Sequence, residues 1–394
     1  MKKIKNNSEV KKANRNRVFR YINSKEQTSM PEISAALHMS GPTVLQIVRE
    51  LSEEGVLSEV GECKSTGGRK AKALASVKDI RYALGIDITR NHIGIVLTDL
   101  TKTVKSHVRL REKFVFEDAY FQTLGKVLEE FIDKAQVDRE KIMGVGISVP
   151  AIIDMQRNYI TYSRALGLYD ISGEEFSRYI PYPCILINDA SAGAATEWIS
   201  GCPKENMVYL SLSNTVGGAI IFQNASDFSE SSYHPEGVFE NMYIGNHWHS
   251  GEFGHVTIHP GGKTCYCGKK GCLDAYCSAQ RLTELVEAGP ERQLEKFFEE
   301  LERGNPKFRE VWDRYLENLS IGIDSLRMCF DCDVILGGYV GSCMKPYLRD
   351  LGMKIAELNI FEGAGDYISV CKFQNEASAL GAAIFYIEEF MKGI

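Results

Sequence analysis

Hydrophobic positions along the chain fall into two kinds of pattern, and the change comes near residue 80. Over residues 9–23, Val10, Val18, Phe19 and Ile22 stand among polar neighbours, as in an amphipathic helix. Pro31-Glu32 opens a short helix through Leu37, and a break at His38-Met39 precedes a third helix. There Val44, Ile47, Val48 and Leu51 recur at i, i+3, i+4 and i+7, so one face points at a core. Ser40 is suited to cap this helix, with Gly41 and Pro42 in its first turn, and Gly55 ends it. The opposite face carries Ser40, Thr43, Gln46 and Arg49. A strand from Val56 to Val60 and another holding Leu74 and Val77 flank Ser65-Thr66-Gly67-Gly68-Arg69-Lys70. Three helices followed by a hairpin predict a winged helix-turn-helix. Its third helix offers short polar side chains to base edges, and Arg69, Lys70 and Lys72 on the wing reach phosphate or the minor groove.

From Tyr82 onward the pattern is α/β. Apolar strands are expected at 84–88, 93–98 and 104–110, an amphipathic helix over Asp118 to Ala135, and a strand from Ile142 to Val149 closed by Pro150. Ile185 to Ile187 then runs into Asn188-Asp189 and a small-residue helix from Ala190 to Trp198. Val208 to Leu212 and Ala219 to Phe222 repeat the hairpin theme, so two lobes with a cleft between them are predicted. The domain expectation is 1–78 for DNA binding, 79–199 for a first lobe to which a helix at 376–394 returns, and 200–375 for a second lobe.

Length and charge sharpen this picture. A chain of 394 residues exceeds one ordinary core. Residues 1–78 carry a net charge of +7 and the remainder −13, against −6 overall. A basic N-terminal unit on an acidic body fits a nucleic-acid footprint at one end, although a small helical interaction module fits the helices alone. There is no apolar run of membrane-spanning length and no signal-peptide core, so a cytoplasmic protein without membrane contact is expected. The odd number of cysteines, 11, does not suggest a disulfide framework.

Three of those cysteines, Cys265, Cys267 and Cys272, share a glycine-rich loop just after His255. Three thiolates and one imidazole fill a tetrahedral zinc shell and leave no open position, which is the structural kind of site. His259 and Cys277 compete for the fourth place.

Several motifs together carry a family resemblance over nearly the whole chain: Gly67-Gly68-Arg69, Gly146-Ile147-Ser148-Val149-Pro150, Asn188-Asp189-Ala190, Gly251-Glu252-Phe253-Gly254-His255 and Cys265-Tyr266-Cys267-Gly268-Lys269-Lys270-Gly271-Cys272-Leu273-Asp274. They resemble the ROK family, which unites sugar-responsive repressors, including those for xylose and N-acetylglucosamine, with sugar kinases. The resemblance implies an α/β body of the two-lobed actin-like, hexokinase-type (ribonuclease H-like) fold behind the winged helix-turn-helix. It implies structural zinc on His255, Cys265, Cys267 and Cys272, and sugar contacts from Asn188, Asp189, Glu252, His255 and Asp274. In the family's kinases the residue at Asp189 is the general base.

The chain departs from that pattern at several points. Asp274 stands where the family has Glu, the sugar-contacting Asn is replaced around Ser163-Arg164-Ala165, and the loop 223–248 is long and aromatic, with Tyr233, Phe239, Tyr243 and Trp248. The phosphate loops are altered too. Asp87-Ile88-Thr89-Arg90-Asn91 replaces Asp-x-Gly-Gly-Thr, and Ser213-Asn214-Thr215-Val216-Gly217-Gly218 replaces a glycine-rich loop. Phosphoryl transfer depends on such positioning, so a non-enzymatic repressor is expected, released from a palindromic operator by a sugar and assembled as a homodimer or homotetramer. A sugar kinase with an accessory DNA-binding domain is the alternative, and a zinc-stabilised interaction hub a third reading.

Overall fold

The computed structural model describes residues 7–63, 71–200, 206–222, 237–287, 289, 292–361, 365–373 and 376–394. The N-terminal unit consists of α1 (Asn7–Asn23), α2 (Met30–Leu37), α3 (Gly41–Glu53) and the antiparallel hairpin β1 (Leu57–Glu62) and β2 (Lys72–Ser76). Val44, Ile47, Val48 and Leu51 are buried, as the periodicity predicts. Ser40 caps α3 by accepting from the Thr43 N–H at 3.3 Å. β1 runs past the expected end at Val60 because a register shift at Gly61, whose φ is +132°, lets pairing continue to Glu62.

The first lobe follows with β3 (Tyr82–Ile88), β4 (His92–Asp99), β5 (Val104–Arg111), α4 (Asp118–Ala135) and β6 (Ile142–Val149). A three-stranded antiparallel sheet, β7 (Ile152–Asp154), β8 (Tyr159–Ser163) and β9 (Leu168–Ser172), leads through α5 (Gly173–Ser177) to β10 (Cys184–Asn188) and α6 (Asp189–Ile199). The main sheet has the order β10-β6-β3-β4-β5, with β10, β6 and β3 parallel. The small sheet is absent from the sequence expectation, because its strands are short and carry little apolar alternation.

The second lobe starts from the hairpin β11 (Met207–Leu212) and β12 (Val216–Ile221). After the cysteine loop come α7 (Asp274–Cys277), α8 (Ala279–Thr283), α9 (Gln293–Glu302), α10 (Pro306–Phe330), β13 (Asp333–Gly337), α11 (Gly338–Gly341), α12 (Leu348–Ala356) and β14 (Ile368–Val370). This sheet has the order β12-β11-β13-β14, and its core is filled by Phe297, Trp312 and Leu316 from the helices.

The last helix, α13 (Ala377–Gly393), lies on β3, β4, β6 and α6 of the first lobe. It approaches as closely as backbone allows: a Cβ on Gly85 would stand 1.7 Å from the Ala379 carbonyl oxygen, and one on Gly146 would stand 2.0 Å from that of Ala382. The outer face of α13 closes the core of the N-terminal unit. Val18, Phe19 and Ile22 of α1 share one buried cluster with Ala383, Ile387 and Met391.

Polar bonds fix this junction. Asn23 Nδ2 donates to the Leu100 carbonyl at 2.7 Å, and Asn16 donates to that of Met391. Glu388 is buried and pairs with Arg20 of α1 and with Lys102 of the β4–β5 turn. Burial alone would raise its pKa, but the two cations outweigh that and hold it below its ordinary value. The N-terminal unit is therefore seated on the body rather than tethered to it.

Candidate sugar cleft, metal centre and nucleic-acid face

On α3 the four residues expected to read DNA lie on the solvent side. Ser40, Gln46 and Arg49 are exposed and Thr43 half-buried. Ser40 and Thr43 hydroxyls lie 2.7 Å apart, and the exposed Arg49 pairs with Glu53 at 2.8 Å. Leu45, left exposed on the same helix, escaped the sequence reading; an apolar residue off the buried stripe was the available signal. An aliphatic side chain there suits a thymine methyl group. Arg69 and Lys70 lie outside the described residues.

The interlobe cleft opens at the C-terminal ends of β6 and β10, where Asn188 pairs in register with Val149. A pocket there is lined by Asn188, Ser191, Met242, Trp248, Ser250 and Glu252, among others. The Asn188 amide is largely committed to the fold. Its Oδ1 accepts from the Ser191 N–H at 2.9 Å, capping α6, and its Nδ2 donates to the Ala151 carbonyl and to Asp189 Oδ1. Asp189 thus stands held beside the pocket. Burial raises its pKa to about 6, against the bond from the Ala190 N–H and with help from the charge of Glu252. Burial likewise raises Glu252.

His255 Nε2 is 4.0 Å from Glu252 Oε2 and 3.3 Å from the Tyr266 hydroxyl. Arg164, at one of the departures from the family pattern, lies over the Tyr266 ring at 5.6 Å. Asp274 is buried, and its Oδ2 accepts from the Val216 N–H at 2.7 Å. That bond ties it to the β11–β12 turn and away from the pocket lining. Tyr243 and Trp248, whose aromatic faces suit either stacking on a sugar or packing, line the pocket, as does Ser250. Ser250 could have been suspected from its place directly before Gly251-Glu252. Tyr233 and the rest of 223–236 lie outside the described residues.

Deeper in the first lobe, Ser148 Oγ donates to Asp87 at 2.9 Å. Burial raises the Asp87 pKa to about 7, opposed by the Ser148 bond and reinforced by Asp189 and Glu376. Arg109 of β5 crosses from the first lobe to donate to the Tyr339 hydroxyl at 2.9 Å, and it also pairs with Glu376. A Cβ on Gly338 would stand 2.5 Å from Ser213 Oγ, so the start of α11 packs against the β11–β12 turn.

The cysteine loop gathers four side chains that could hold a metal ion. The donor atoms of His255, Cys265, Cys267 and Cys272 all lie within 4.8 Å of one another. Cys267 and Cys272 sulfurs are 3.7 Å apart, and Cys265 Sγ is 3.8 Å from His255 Nδ1. Zinc–sulfur bonds of about 2.3 Å at tetrahedral angles place sulfurs about 3.8 Å apart, so the donor set fits the ion. Gly271, with φ +84°, makes the fold-back possible, because a Cβ there would stand 1.7 Å from the His259 carbonyl oxygen. The two competitors are engaged elsewhere: His259 Nε2 meets Asn318 at 2.6 Å, and Cys277 is buried facing the Tyr315 carbonyl.

The ROK family pattern matches residues 83–389, and a winged helix-turn-helix DNA-binding pattern matches residues 12–58. The chain belongs to the ROK family. It is 24% identical to the xylose repressor of Caldicellulosiruptor bescii over 98% of both chains. It is 25% identical to the DNA-binding transcriptional dual regulator NagC of Escherichia coli, over 71% of this chain and 67% of that one. Among solved structures, a ROK family transcriptional regulator homologous to the E. coli MLC protein superposes with a TM-score of 0.73 at 20% identity, covering 97% of each chain. That likeness shows the winged helix and two-lobed body as one architecture. No helix among the described residues is long and apolar enough to cross a membrane.

Proposed function

We propose that this ROK protein is a sugar-responsive transcription regulator of the cytoplasm, a repressor of carbohydrate-utilisation genes. The observation that carries the reading is that α3 keeps a solvent-facing polar side while its other side is buried in a core continuous with α13 of the ROK body. A base-reading helix is thus held by the domain that binds the effector. The names of the repressor relatives point the same way.

In this reading residues 1–78 bind DNA, with Ser40, Thr43, Gln46 and Arg49 at the groove and Arg69 and Lys70 on the wing. Residues 79–199 with 376–394, and residues 200–375, form the lobes. Asp189, Glu252 and His255 face the sugar hydroxyls, with Asn188 and Asp274 fixing the elements that carry them. His255 Nδ1, Cys265, Cys267 and Cys272 would hold one structural zinc, and the imidazole so fixed would turn Nε2 toward the ligand. A palindromic operator calls for a two-fold assembly, since one recognition helix covers only a half-site.

Kinase activity has one observation in its favour, Asp189 with its raised pKa beside the pocket. Against it, the nucleotide side is bridged by Arg109, Tyr339 and Glu376, and Thr89, Arg90 and Asn91 replace the phosphate-binding residues. The reading is tested by titrating full-length protein with a duplex selected from random DNA, at one salt concentration, with and without sugar. Sugar should weaken DNA binding, and DNA should weaken sugar binding by the same factor. Glu252→Ala should keep DNA binding and lose the response. Sugar phosphorylation at ordinary turnover, abolished by Asp189→Asn, would replace this reading with the kinase one.

A further inference from the structure

The segment 237–252 has contacts at both ends that the residues discussed so far do not account for. Its middle adds to the edge of β12: the Phe222 N–H donates to the Asn241 carbonyl, and the Tyr243 N–H to that of Ile220, each at 2.9 Å. Beyond this edge the chain turns through Gly245 and Trp248, both at positive φ, to reach Ser250 and Glu252 in the pocket. Tyr243 is 51% exposed although it lines that pocket. Ser250 Oγ is buried there and has no hydrogen-bond partner among the described residues. A buried hydroxyl left unpaired is costly, so this one is set for an incoming polar group. Aromatic faces beside a lone hydroxyl and a carboxylate suit a sugar, with apolar C–H surface on one side and hydroxyls on the other.

The other end of the segment rests on α13. The Phe239 and Phe385 rings meet edge to face at 5.6 Å, and Glu240 pairs with Lys392. Gly237 packs on Glu388 so closely that a Cβ would stand 2.9 Å from Glu388 Oε2. Glu388 is the carboxylate that holds Arg20 of α1. One short segment therefore touches both the pocket and the residue that seats the DNA-binding unit.

We propose that residues 237–252 are a strap whose pocket end binds the sugar through Ser250 Oγ and the Tyr243 and Trp248 rings, and whose other end transmits occupancy through α13 to the winged helix. This rests on the repressor reading above. Ligand engages the Tyr243–Ser250 stretch and shifts the strap along the β12 edge. The Phe239 and Glu240 contacts carry that shift to the face of α13 that holds α1. Coupling then requires the α13 contacts, whereas binding of sugar or of DNA alone does not.

The test uses full-length protein, the selected duplex, and D-xylose and N-acetyl-D-glucosamine as probes. Trp248→Ala and Ser250→Ala should each weaken the sugar that binds by about tenfold or more, with Ser250→Thr keeping much of the affinity. Phe239→Ala, Glu240→Gln and Lys392→Met should leave sugar affinity and sugar-free DNA affinity within about twofold. In these three, the ratio of DNA affinities without and with saturating sugar should fall toward one. Unchanged sugar affinity in both pocket-end variants, or a wild-type ratio in all three α13-end variants, overturns the strap. A wild-type protein whose DNA affinity ignores every sugar overturns the repressor reading itself. Circular dichroism separates each outcome from misfolding.

Discussion

Two buried charge clusters in this protein are built on opposite plans. At the junction between the N-terminal unit and the body, Glu388 is matched by Arg20 and Lys102, and its pKa is held down. In the cleft, burial and, to a lesser extent, acidic neighbours raise Asp87 to about 7 and Asp189 to about 6. A compensated charge holds a permanent contact, because removing either partner strands the other. Carboxylates gathered without enough cations cost stability in the free protein, and such costs are concentrated at functional sites. The contrast separates what fixes the architecture from what waits for a ligand.

The largest effect should come from breaking the compensated cluster. Glu388→Ala leaves Arg20 and Lys102 facing an apolar gap and should cost about 3–5 kcal/mol, read by denaturant unfolding. Combining it with Arg20→Met should recover part of the loss, since the stranded charge is removed as well. In the cleft the sign is expected to reverse: Asp87→Asn should be neutral or stabilising. A loss there as large as at Glu388 would end the comparison.

The pH profile sharpens it. Asp87 and Asp189 have folded pKa values above their unfolded ones. They lower stability at pH 8, and that cost is relieved as pH falls through about 7 and about 6. Glu388 has a depressed folded pKa, so its contribution is present above the ordinary carboxylate range and is lost as pH falls through the depressed value. Melting temperature should therefore rise from pH 8 to about 5.5 and fall in stronger acid. The rise should shrink in Asp87→Asn. A steady decline from pH 8 downward would show the cleft carboxylates to be compensated after all.

The cysteine loop lies apart from both clusters but bears on the cleft, because His255 belongs to its group of candidate metal donors. Protein purified without added metal should contain about one zinc per chain by elemental analysis. Cys267→Ala with Cys272→Ala should abolish it and loosen the cysteine loop, seen as faster proteolysis between Thr264 and Asp274. The smallest effect is expected at Arg109. Its bridge to Tyr339 and Glu376 is partly exposed, so Arg109→Met should cost about 1 kcal/mol or less. A larger loss would mean the lobes depend on that bridge.

Much of the fold was legible because periodicity is strong wherever one face of an element is buried. α3 and α4 follow from their stripes, and β3, β4 and β6 from continuous apolar runs. The small sheet β7–β9 was not legible, since short half-exposed strands leave no such signal. In the site, the cysteine spacing pointed to a group that could hold a metal, whereas Asp274 could not be recognised as an anchor of the β11–β12 turn. Its partner is a backbone N–H of Val216, and every residue has the same backbone.

The sequence by itself determined the two-part plan, the buried stripe of α3 and the close spacing of Cys265, Cys267 and Cys272. Each is a matter of residue type at a local spacing. Only the tertiary structure decided that α13 closes the core of the winged helix, that Gly85 and Gly146 are bare so that a helix backbone can lie on them, and that Arg109 bridges the lobes. It also decided that Glu388 meets Arg20 across 368 positions of chain and that Gly237 packs against the same carboxylate. Such contacts depend on where distant segments come to rest, and local pattern carries no record of that.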